Sequence, residues 1–315
     1  MAVVSAPPRE SPVASAPPGG LRPVDLLLLG YLGIVSLVAA QRAPTLPGCW
    51  WLLVAHALFV VLLVLITRPG LGPVGRTVRE VYPLLLLVGL YSELDVLNGA
   101  GAIPVHDALV QRWELAVFGS QVSVEWWRSM PSRFWSTVLH GAYFAYYLIL
   151  VSPAFFFVGR RDLDSLRRYI LAVMTTFVVC YLVFIFFPVA GPYYEFARPA
   201  AWFTDNVFAR LVYQTLATGS SYGAAFPSSH VAATVAAVLS TARGSRRFAL
   251  ALVGPTILLT VGVVYCQMHY GVDALAGLIV GVVVAGTVGR CYGKPPGLDG
   301  SGGLEESGNP AATGP

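Results

Sequence analysis

The sequence predicts an all-α, polytopic membrane protein, a bundle of about eight spanning helices. Three observations predict it. Of the 315 residues, 56% are hydrophobic and only 11% are charged, whereas a water-soluble domain carries about a quarter charged residues. The apolar residues come in runs long enough to cross hydrocarbon, which takes roughly 20 residues of helix. The basic residues also alternate between connections. With the amino terminus placed in the cytoplasm, 14 of the 20 Lys and Arg fall on cytoplasmic stretches, and six fall on the other side: Arg42, Arg112, Arg128, Arg133, Arg198 and Arg210. That bias is what the positive-inside rule requires.

The predicted spans cover 24–40, 49–67, 80–97, 134–158, 168–188, 228–243, 247–267 and 270–289. Residues 1–23, rich in Pro, Ala and Ser, and residues 291–315, rich in Gly and Pro, are expected to be disordered cytoplasmic tails. Between them the chain divides into N-terminal spans with an outer interfacial segment (24–133) and a C-terminal core (134–290). The loop asymmetry accounts for the net charge of +4, so a nucleic-acid partner is not expected; the expected location is the cell membrane. Cys49, Cys180, Cys266 and Cys291 lack metal-type spacing and are expected to be apolar filler.

Two outer connections stand out. In 98–133, Leu109, Trp113 and Ala116 fall on one helical face, which suits a helix lying in the interface. Trp126, Trp127, Trp135 and Tyr143 follow it and match an aromatic belt at the outer boundary. The connection 189–227 is nearly forty residues long and rich in aromatics, which favours a functional loop over a disordered one. In the last span, Gly277 and Gly281 have the GxxxG spacing of close helix packing.

The chemistry lies in two short motifs, FPSSH at Phe226–His230 and HYGVD at His269–Asp273. Each sits where a span begins on the outer side. Two helix amino termini would therefore meet there, with unpaired N–H groups suited to phosphate. Ser228 or Ser229 can cap its helix or donate to a phosphate oxygen. Asp273, four residues after His269, can hold one ring N–H of the imidazole and leave the other nitrogen as an oriented nucleophile. His230 can then protonate the leaving oxygen.

These motifs resemble the second and third signature motifs of the phosphatidic acid phosphatase type 2 (PAP2) superfamily, over roughly residues 130–290. The resemblance implies a six-helix core and a phosphohistidine intermediate on His269. Asp273 would orient that histidine, and His230 would act as acid and then base. Ser228 and Ser229 would contact the phosphate, with Ser229 standing where many members have Gly. Membrane lipids would be the substrate and the acceptor, with no cofactor and no metal. The leading spans are similar to those of the inositol phosphorylceramide synthase-like branch. The phosphatase branch has a Lys seven residues before its Arg-Pro, where this chain has Gly191 before Arg198-Pro199; its third motif also carries an Arg, but none occurs in 256–268, where Gln267 stands nearby.

With that clamp missing, Arg198 is the expected cation at the phosphate, its alternative being a lipid-headgroup contact. His140, two turns into its span, is expected either to touch substrate or to fill a packing role. Glu93 and Asp95 suit a polyol headgroup or ordinary interfacial positions. The expected function is an integral-membrane lipid phosphotransferase of the inositol phosphorylceramide synthase type, acting at the extracytoplasmic face. The alternatives are a lipid phosphate monoesterase or pyrophosphatase on phosphatidic acid or an isoprenyl phosphate, a catalytically silent lipid-binding relative, and a metal enzyme using His230, His269 and Asp273.

Overall fold

The structure, a computed structural model, describes residues 20–68 and 70–292. The two expected tails fall almost wholly outside these residues. Among the described residues the chain is helical, without a named strand: α1 (Pro23–Arg42), α2 (Gly48–Ile66), α3 (Pro73–Asn98), α4 (Asp107–Phe118), α5 (Val122–Ser129), α6 (Arg133–Phe144), α7 (Tyr146–Gly159), α8 (Leu163–Phe186), α9 (Pro192–Glu195), α10 (Ala201–Thr204), α11 (Val207–Gly219), α12 (Ser229–Gly244), α13 (Arg246–Tyr265) and α14 (Gly271–Tyr292).

The all-α polytopic bundle is borne out. Helices α1, α2, α8, α13 and α14 are each long and apolar enough to cross a membrane, and so are α6 and α7 taken together across a bend of 40°. The other two expected spans are helices of a different kind. With 16 residues, α12 reaches only about 24 Å at 1.5 Å per residue, short of the ~30 Å of hydrocarbon. Helix α3 carries Arg76, Arg79, Glu80, Glu93 and Asp95. Arg79 and Glu80 are buried and bonded to charges on α8 and at the start of α1, and Glu93 is buried against Tyr31 and His56.

Helix α8 is the axis of the molecule. Tyr169, Val173, Phe177, Cys180, Tyr181 and Phe184 are all buried along it, and α1, α3, α7, α12 and α14 all pack against it. The outer connections are ordered. In 98–133, α4 and α5 form as expected, but α4 turns Asp107, Val110 and Glu114 into the protein and leaves Trp113 and Ala116 exposed. The reason is chemical: both carboxylates find backbone N–H donors inside. Trp127 and Tyr143 are likewise buried in the fold, so neither belongs to an anchoring belt. The connection 189–227 folds into α9, α10 and α11, and its ends pair with each other. Val189 N–H donates to Gly223 O (3.0 Å) and Ala225 N–H to Val189 O (2.9 Å).

Candidate active site

The last span's glycines bring the two motifs together. A Cβ on Gly277 would meet Ser228 O at 2.5 Å, and one on Gly281 would meet Ala232 O at 2.5 Å. Only hydrogen at these positions lets α14 lie directly on the α12 backbone. At the closest approach Ser228 N–H donates to Asp273 O (2.9 Å), which joins FPSSH to HYGVD. Ser228 is also the N-cap of α12, its hydroxyl accepting from Val231 N–H at 3.5 Å. The N–H groups of Ser229 and His230, first in α12, have no helical carbonyl to meet.

His269 precedes α14, and its backbone N–H donates to Val263 O (2.8 Å). Its Nδ1 lies 3.0 Å from Ala225 O and 3.5 Å from Asp273 Oδ2. A carbonyl only accepts, so Nδ1 carries a proton, and in the neutral ring Nε2 is the bare nitrogen. The spacing argument named Asp273 as the orienting group, but the nearer partner is this carbonyl. Asp273 Oδ2 also accepts from Tyr270 N–H (2.8 Å), while its Oδ1 is buried without a partner. The His230 ring stands 5.7 Å from the His269 ring, centroid to centroid, and its Nδ1 is buried and unpartnered.

Two residues absent from the sequence argument hold this arrangement. Glu114, fully buried, accepts from Gly271 N–H and Val272 N–H, each at 2.9 Å. Asp107 accepts from Ala190 N–H (2.7 Å), Gly191 N–H (2.8 Å) and Tyr270 OH (3.0 Å). The amino terminus of α14 is thus occupied by a carboxylate, and the expectation that both helix ends offer free N–H groups fails there. Their spacing within one turn-rich helical face was visible, but nothing local said that their partners lay about 80 and 160 residues away. Burial raises the Glu114 carboxyl above its usual range, against the opposing pull of its N–H donors.

Arg198 is exposed and lies over the rings of Tyr193 (5.4 Å) and Tyr213 (5.6 Å), donating to Tyr193 OH at 3.1 Å. None of these contacts is to His230, His269 or Asp273. The loop carrying it is tied down by Gln267, whose amide donates to Ala197 O (2.9 Å) and accepts from Trp127 Nε1 (3.1 Å). Of the other outer arginines, Arg133 and Arg210 pair with Asp205, and Arg42 is bonded to Leu97 O and Ile185 O. His140 is fully buried, with Nδ1 2.8 Å from Ser136 O and 3.4 Å from Cys266 Sγ; its Nε2 is buried and unpartnered. It abuts the end of α13, not the histidine pair. Glu93 is bonded to Tyr31 and His56, and Asp95 accepts from Tyr222 N–H (3.3 Å), so both carboxylates already have partners in the fold. Among the described residues, no three His, Cys, Asp or Glu side chains are grouped to hold a metal ion.

A family model described as the PAP2 superfamily matches residues 110–287, more than half of the chain. That stretch takes in Glu114 and most of α4 as well as both motifs, and begins just after Asp107. No curated protein and no solved structure matches the chain.

Proposed function

Since the chain belongs to the PAP2 superfamily, a family of phosphatase-type enzymes, we propose that it transfers the phosphoryl group of a membrane lipid through a phosphohistidine on His269. The observation that carries this reading is the His269 ring. Its Nδ1 is fixed on Ala225 O, and Nε2 is left unprotonated beside His230. In the first step Nε2 attacks phosphorus, the bond to the leaving oxygen breaks, and His230 gives that oxygen a proton. In the second step an acceptor hydroxyl, or water, loses its proton to His230 and displaces the imidazole.

Charge on the equatorial oxygens must be met by donors that are already in place. The N–H groups of Ser229 and His230 and the hydroxyls of Ser228 and Ser229 are the donors this reading uses, with Arg198 as the cation that would have to swing in from its place over Tyr193 and Tyr213. Glu114 and Asp107 already occupy the N–H groups of Gly271, Val272, Ala190 and Gly191, which leaves those of α12 for the phosphate. The missing Lys and Arg favour a phosphodiester donor, since a diester carries one negative charge where a monoester approaches two. This is the basis for an inositol phosphorylceramide synthase-like transferase. The positive-inside bias puts the site on the extracytoplasmic side, with both termini in the cytoplasm.

The test uses the full chain in detergent with lipids labelled in the phosphate: phosphatidic acid, an isoprenyl phosphate, and phosphatidylinositol with ceramide. Label entering a new lipid only when acceptor is present supports the transferase, and free phosphate supports the monoesterase. Equal turnover in wild type and His269→Ala on every substrate would end the catalytic reading.

A further inference from the structure

Gln267 stands two residues before His269 and has no part in the steps above. It is 2% exposed and sits at φ +60°, in the left-handed region. That region crowds the Cβ of every residue but glycine, so a side chain kept there has work that offsets the strain. The backbone around it is closed. Gln267 N–H donates to Val264 O (3.0 Å), and the N–H groups of Met268 and His269 both donate to Val263 O (3.0 and 2.8 Å). The Gln267 side chain therefore leaves the same tight turn that fixes His269. Both ends of its amide are used: the oxygen accepts from Trp127 Nε1 on α5 (3.1 Å), and the nitrogen donates to Ala197 O (2.9 Å).

Ala197 is the residue before Arg198. Next to it, the Phe196 ring meets the Tyr270 ring edge-on at 6.3 Å. Residues 196 and 197 are thus held by Tyr270 and Gln267, which flank His269 in the chain. On its other side Arg198 precedes Pro199, which is buried and confines Arg198 to extended backbone. The root of Arg198 is fixed from both sides while its guanidinium rests on Tyr193 and Tyr213, so the side chain is the part left to move. We propose that Gln267 is a positioning residue: it holds the Arg198 backbone in register with His269, so that rotation of the Arg198 side chain alone delivers the cation to the phosphate. This rests on the phosphoryl-transfer reading above. A cation on a free loop must be ordered each time it acts, which subtracts from what it contributes to the transition state, and a fixed root removes that cost. Glutamine suits the task because it donates and accepts at once. Glutamate has no N–H for Ala197 O, and asparagine, which tolerates the left-handed backbone, is one methylene shorter.

The test is a double-mutant cycle on the full chain in detergent, with turnover of the phosphate-labelled lipid read as kcat and KM. The proteins are wild type, Gln267→Gly, Arg198→Ala, the double variant and His269→Ala. Thermal unfolding checks folding, and Gln267→Asn takes the place of Gln267→Gly if that variant unfolds. Hydrogen exchange over residues 196–204 reads the anchor independently of turnover. The expected result is faster exchange there in Gln267→Gly and a kcat at least about tenfold lower in each single variant, with KM little changed. The double variant should fall within about twofold of Arg198→Ala, because both changes remove one effect. A glutamine that merely supports the fold would give losses that multiply in the double variant. That outcome, unchanged exchange, or unchanged kcat in Gln267→Gly overturns the proposal. The two readings fail separately: if His269→Ala turns over like wild type, phosphoryl transfer falls, whereas His269-dependent turnover with multiplying losses removes only the role of Gln267.

Discussion

At the scale of single residues, the site depends on groups that orient other groups. Asp273 is 3.5 Å from His269 Nδ1 and shares it with a closer carbonyl. On the proposed phosphohistidine route, Asp273→Asn keeps the shape and removes the charge that would steady the imidazole carrying phosphate. The turnover number should fall by about 100-fold or more, with KM for lipid little changed, as steady-state kinetics on the labelled substrate would read. Glu114 gives a prediction in pH. The folded chain holds the Glu114 proton to higher pH than the unfolded chain does, because burial raises its carboxyl. Its contribution to stability is therefore fullest below the ordinary glutamate pKa and declines as pH rises through the raised folded value. Thermal unfolding scanned from about pH 4 to 7 should show this decline in wild type. In Glu114→Gln it should be absent, at the cost of one lost acceptor for Gly271 or Val272 N–H.

At the scale of elements, the α12–α14 contact and the bend in the α6–α7 span decide where the histidines stand. Gly277 has Ser228 O where a Cβ would be, so Gly277→Val must part the two helices and separate FPSSH from HYGVD. We expect a loss of about 2–3 kcal/mol of stability and no turnover in the protein that still folds. Gly286 lies on the same helix with nothing within 4 Å of its Cβ position, and Gly286→Ala should leave the melting temperature unchanged or higher. Equal damage from both substitutions in a thermal-shift assay would contradict this account of the close packing. The bend works at the same scale. Helix α6 has 12 residues, about 18 Å of rise, before the chain turns by 40°, and this carries Tyr143 and Tyr146 deep enough to reach His230 at the start of the short α12.

At the scale of the whole molecule, α8 separates two polar centres. Near its amino end Glu80 accepts from Arg22 and Arg167, and Arg79 pairs with Asp25, joining α1, α3 and α8. Near its other end Arg42 bonds Leu97 O and Ile185 O beside the outer connection. Removing a carboxylate from a buried group of this kind leaves arginines uncompensated, at about 3–5 kcal/mol for a fully buried pair and less for one partly open to solvent. Glu80→Ala should therefore lower the unfolding temperature clearly while leaving the turnover per folded molecule intact. A fall in turnover with unchanged stability would instead show that the far end of α8 reaches the site.

How much of this was readable beforehand follows from how local each cause is. The apolar runs, the alternation of arginines, the GxxxG spacing and the two motifs are short-range patterns, and they alone determined the all-α membrane bundle, the family and the nearness of Asp273 to His269. The carbonyl of Ala225 at His269, the Asp107 and Glu114 anchors and the packing of Tyr143 and Tyr146 on His230 were decided only by the tertiary structure. Each of these pairs a residue with a backbone group or a ring tens of residues or more away. A backbone carbonyl leaves no mark in a sequence, and an aromatic residue near a span end reads equally as an interface anchor or as the wall of a site until its neighbours are in place.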